Sequence, residues 1–120
     1  MRRFFISVLV LNLLIEGLAA VSLIFSSPVG VFAENRPAGS EWSMIYGFAA
    51  FAIATAIIWL WPYRDDAAAV GSVMGMLATF HTALFIVLAV AGTQMAGMIM
   101  HAVMAVFCWL ILFQRDRWCQ

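Results

Sequence analysis

The chain has 120 residues, 66% of them hydrophobic and 10% charged, with no formal net charge and a mean hydropathy of +1.03. A soluble domain of this length could not bury so much apolar surface, so the composition reads as an integral membrane protein. All six basic residues are arginines outside the apolar runs, which excludes a clustered nucleic-acid face; the absence of CxxC, glycine-rich phosphate-loop and HExxH patterns leaves no motif-level enzyme signature.

Arg2 and Arg3 precede a first apolar run, residues 4–25, long enough for a tilted span. A basic start and the Gly17-Leu18-Ala19-Ala20 segment also suit a secretory signal peptide, but Asn12 and Glu16 interrupt the apolar stretch that such a peptide needs. Glu16 is the most costly residue of the chain, because an ionisable group at mid-bilayer normally faces a bundle interior, a partner or a water pocket. Asn12 lies one turn earlier on the same face, so the two residues mark a polar stripe toward the other helices.

Residues 26–41 carry Pro28, Gly30, Pro37 and Gly39 and read as a long extracytoplasmic loop, partly apolar through Val29, Val31 and Phe32. The second span, about 42–61, has Ser40 as its expected N-cap. Trp42 and Tyr46 are its expected anchors at one interface, with Trp59, Trp61 and Tyr63 at the other. Asp65 or Asp66 is expected to cap a third span, about 67–91, which carries His81. A fourth span, about 95–113, follows the Gly92-Thr93-Gln94 turn and carries His101. Small residues at Gly47, Ala50 and Ala54, and at Gly71, Gly75 and Thr79, suit close helix approach and a homodimer or larger membrane complex.

The sequence therefore predicts a single all-α domain, a four-transmembrane-helix up-down bundle. With both termini in the cytoplasm, that side holds five arginines against Arg36 alone on the other, the split that positive charge favours. Cys108 and Cys119 read as free thiols.

Counting 1.5 Å per residue from the extracytoplasmic ends puts Glu16 at about 13 Å depth, His81 at about 15 Å and His101 at about 9 Å. Three rare ionisable groups thus fall in one layer. The layer reads in three ways: a polar clasp that fixes helix register, a ligand-binding or proton-coupled layer of Asn12, Glu16, His81 and His101, or a metal site of Glu16, His81 and His101. Bis-His haem ligation is a further variant. As a coupled set, the layer is expected to exchange protons as a unit. Met74, Met76, Met95, Met98, Met100 and Met104 lie in the same two spans; as thioethers they would suit Cu(I), and as flexible apolar side chains they would fill gaps.

With Glu16-Gly17-Leu18 and the Gly-Leu-Ala-Ala segment in the first span, a proline-containing first loop and three closely linked helices after it, the chain resembles the DoxX-like small bacterial membrane proteins. That resemblance implies an accessory protein of a bacterial inner membrane and carries over no site residues. The function expected is binding or transport of a small or lipophilic ligand through the polar layer. The alternatives are a metal- or haem-dependent membrane redox enzyme and a structural subunit of a larger membrane complex.

Overall fold

The structure is a computed structural model and describes residues 2–26, 40–92 and 94–118. Among the described residues there is no strand. The α-helices are α1 (Arg2–Val21), α2 (Ser40–Ala54), α3 (Ala56–Leu60), α4 (Ala67–Ala91), α5 (Met95–Phe113) and α6 (Arg115–Trp118). A π-helical turn, Ser22–Ser26, continues α1, and a 3-10 turn, Trp61–Tyr63, ends α3. Among the described residues, four stretches are long and apolar enough to cross a membrane: Arg2–Phe25, Ser40–Tyr63, Ala67–Ala91 and Met95–Phe113. The last two match the expected spans residue for residue. The expected loop 26–41, apart from its ends, lies outside the described residues, as do Thr93 and Cys119.

The chain forms two compact units, Met1–Val8 with Trp59–Gln120, and Leu9–Ile58. In the first, the Asp66 carboxylate caps α4 by accepting from the backbone N–H groups of Ala68 at 2.8 Å and Ala69 at 3.3 Å, a cap of the kind that contributes about 1 kcal/mol. Gly92 closes α4 in the left-handed region, φ 67°, with its N–H on the Leu88 carbonyl, a conformation that glycine adopts without steric cost. The chain then returns as α5. Val70, Met74, Leu77, Ala78 and His81 are buried on α4, and His101, Met104, Ala105, Cys108 and Ile111 on α5. Their spacings of three and four residues place each set on one helix face, and the two faces form the seam of an antiparallel hairpin.

One end of this unit gathers both ends of the chain. Arg2 pairs with Asp65 at 3.1 Å, and the Phe4 ring packs on Phe107 and Trp118 at 5.3 and 5.5 Å between centroids. A Cβ on Gly71 would lie 2.8 Å from Arg115 Cδ. Arg64 sits over the Trp61 ring at 4.9 Å, a cation–π contact.

In the second unit, α1 and its π-turn pair with α2. Ala20, Ile24 and Ala50 form a small core against which Tyr46 packs. Gly47 admits the closest approach, since a Cβ there would stand 3.0 Å from both Ile24 Cγ1 and Leu23 Cβ. The small-residue stripe of α2 is thus occupied by the chain's own helix, and Gly71 and Gly75 likewise face Arg115 and Leu112 of the same chain. The expected second span is not one regular helix: it is interrupted at Thr55, between α2 and α3.

Candidate functional site

His81 and His101 meet in the α4–α5 seam. Both side chains are buried, at 0% and 4% exposure, and their Nδ1 atoms stand 2.9 Å apart. That is an ordinary hydrogen-bond length, so one ring donates its Nδ1–H and the other accepts at Nδ1 and carries its proton on Nε2. The ring planes are tilted by 32° with centroids 5.2 Å apart. Phe80 sets its ring edge-on to both imidazoles, at 5.3 Å from His81 and 6.4 Å from His101, which walls the pair with apolar surface.

The bond needs one Nδ1 lone pair and one Nδ1–H. It therefore persists with both rings neutral, or with one of them an imidazolium, and fails when both are protonated. A bonded pair can take up one proton without moving a heavy atom. At the next residue of α4, the Trp109 indole N–H donates to Thr82 Oγ1 at 3.1 Å, and the Thr82 hydroxyl donates to the Ala78 carbonyl at 2.7 Å. Side-chain and backbone polar groups near the pair are thus held in place across the seam.

The spacing of the two nitrogens also tests the metal expectations. Two nitrogens bound at right angles to one ion, at about 2.0–2.1 Å each, lie about 2.9 Å apart. The methionines sort sharply: Met74 and Met104 are fully buried in the seam, whereas Met76, Met95 and Met100 are exposed and Met98 is half-buried. Cys108 is buried in the seam as a free thiol.

Asn12 and Glu16 belong to the other unit, where both are wholly buried. The Asn12 amide donates to the Ile53 carbonyl at 3.0 Å. In an unbroken helix that carbonyl receives the N–H of the fourth residue onward, and the chain departs from α-helical form two residues later, at Thr55, whose hydroxyl donates to the Ala52 carbonyl at 2.7 Å. Tyr46, expected at the membrane interface, is half-buried on the Ala20, Ile24 and Ala50 core and lies within electrostatic reach of the Glu16 carboxyl. Tyr46 and Phe80 are the two site neighbours that sequence reasoning missed.

No protein-family model matches this chain, and no curated protein or solved structure matches it either.

Proposed function

We propose that this is a multi-pass protein of a bacterial inner membrane, with both termini in the cytoplasm, that binds and moves a small or lipophilic ligand, or a proton, through an intramembrane polar layer. The observation that carries this reading is the buried His81–His101 hydrogen bond at 2.9 Å. A lone clasp would serve with groups that hold one protonation state, whereas two imidazoles bonded through Nδ1 form a set that gains or releases a proton in place. The gathering of Arg2, Arg64 and Arg115 with the turn before α4 at one end of the first unit supports the cytoplasmic side for that end. An apolar groove of about 320 Å³ on α5, lined by Ala102, Val103, Val106 and Phe107, supports access for a lipophilic ligand from the bilayer. Glu16 belongs to the proposal through the depth count and its burial on α1, as does the DoxX-like resemblance through the first-span residues.

The test is reconstitution in vesicles that enclose a pH-sensitive dye. A wild-type protein that collapses an imposed pH gradient several-fold faster than His81→Phe or His101→Phe supports the reading. Equal rates for wild type, both variants and protein-free vesicles, together with no ligand-dependent change in the imidazole NMR signals, would remove it and leave the pair a packing clasp.

A further inference from the structure

Resting on the membrane reading above, we propose that the arginine-rich end of the first unit holds one anionic phospholipid, its phosphate on the Trp118 indole N–H and the Arg115 guanidinium and one acyl chain in the groove of α5. Trp118 supplies the observation that asks for a partner. Its side chain is buried, at 9% exposure, and its Nε1 is covered with no acceptor among the described residues, a donor that buried tryptophans ordinarily satisfy. Arg115 stands three residues before it on α6, the spacing at which helical side chains are neighbours. The Arg115 Cδ lies over Gly71, and its guanidinium makes one long bond, 3.4 Å, to the Leu112 carbonyl, so most of its N–H groups are left to bind. Arg2 and Arg64, by contrast, are engaged with Asp65 and with the Trp61 carbonyl and ring.

What lies beside these two donors names the occupant. Trp118 packs on Phe4 and Phe4 on Phe107, at 5.5 and 5.3 Å between centroids, and Phe107 lines the 320 Å³ groove with Ala102, Val103 and Val106. Two ring contacts thus join the donors to the groove. The groove residues recur at three and four along α5, a stripe distinct from the buried seam of His101, Met104, Ala105 and Cys108, and Val103 and Val106 are exposed, as side chains that meet acyl chains are. A free phosphate would answer the donors and leave the groove empty; a neutral lipid would fill the groove and leave the donors unmet. A phospholipid does both, and the charge of this end selects its headgroup. Residues 2–3, 64–66 and 115–117 carry five arginines against three aspartates, which favours a net negative headgroup over one that adds a cation of its own. Arginine presents a planar fork of donors that matches phosphate oxygens. Because α6 is a single turn of four residues, a small displacement of it opens the indole N–H to such an oxygen.

The experiment is native mass spectrometry of the full chain released from nanodiscs of phosphatidylcholine mixed with phosphatidylglycerol, with NMR of the 15N-tryptophan-labelled protein in the same nanodiscs, where Trp118→Phe identifies the Trp118 indole signal. The expected result is one retained phosphatidylglycerol per chain, preferred about fivefold or more over phosphatidylcholine, the factor that one arginine near a membrane surface gives. Retention should fall by a similar factor after Arg115→Gln or after Val106→Trp, which fills the groove, and the Trp118 indole N–H signal should shift as the anionic fraction rises. Equal retention of the two lipids, an indole signal that the anionic lipid leaves unmoved, or retention that neither variant lowers overturns the proposal. An indole shift that inorganic phosphate reproduces in pure phosphatidylcholine, indifferent to Val106→Trp, makes the donors a free-anion site and overturns the lipid. If the variants fail to fold, the lipid preference and indole shift of the wild type decide. A chain that collapses a pH gradient without selecting the anionic lipid loses this site and keeps the proposed function, and one that selects the lipid without moving protons does the reverse.

Discussion

Two buried polar arrangements in this protein solve the same problem differently. In the α4–α5 seam, His81 and His101 satisfy each other side chain to side chain, and both helices run unbroken for 25 and 19 residues. In the α1–α2 pair, Asn12 donates to a backbone carbonyl, that of Ile53, and the second span is interrupted two residues on. The lesson concerns where the acceptor comes from. A polar group bonded to another side chain leaves the helix ladder intact, whereas one that draws on a main-chain carbonyl competes with the ladder and coincides with its break.

The tightest point of the second arrangement should show the largest effect when overfilled. Gly47→Leu has to push Ile24 and Leu23 aside from a 3.0 Å approach, and overpacking of this kind costs about 1–3 kcal/mol; reversible unfolding in bicelles should report a loss at the upper end of that range. Wild-type stability in this variant would mean that α1 and α2 do not approach as described. Next comes His101→Leu, which deprives a buried imidazole of its partner. Membrane hydrogen bonds measure about 0.6–2 kcal/mol, so a loss in that range is expected, with no further loss in the His81→Leu, His101→Leu double variant. Additive losses would show that the rings are not partners.

Asn12→Leu sharpens the contrast at lower cost, about 0.6–1.7 kcal/mol. With the Ile53 carbonyl returned to the ladder, amide exchange at residues 55–58 should slow; exchange that stays fast would separate the break from Asn12. The smallest effect belongs to Gly71→Ala, because the atom it meets is the flexible Arg115 side chain at 2.8 Å, which swings away for less than about 1 kcal/mol. A larger loss would mean that Arg115 is pinned.

Much of this was open to reading in the chain. Span lengths follow from runs of apolar residues, and Asp66 and Gly92 punctuate the third span with side-chain and backbone chemistry that works locally. The His81–His101 meeting was legible through depth, although counting put the two about 6 Å apart in height where they are in direct contact; straight, untilted helices starting at one level were the wrong reference. The sorting of methionines follows from offsets to the histidines, since Met104 at three and Met74 at seven residues share their faces. The break at Thr55 had no proline or glycine to announce it. Its signal was Asn12, a donor in an apolar run whose amide reaches the Ile53 carbonyl. Tyr46, four residues after Trp42 near a span end, has the pattern of an interface anchor, and its packing on Ala20, Ile24 and Ala50 is a tertiary contact that no local pattern announces.

The central claim is that His81 and His101 act as one unit, and nitrogen NMR of the 15N-histidine-labelled protein in lipid tests it directly. The account predicts a through-hydrogen-bond coupling between the two Nδ1 nuclei and a titration in which both rings respond to the same proton, so that His101→Gln alters the His81 curve. Two imidazoles with no such coupling, each titrating alone and unchanged by loss of the other, would contradict it.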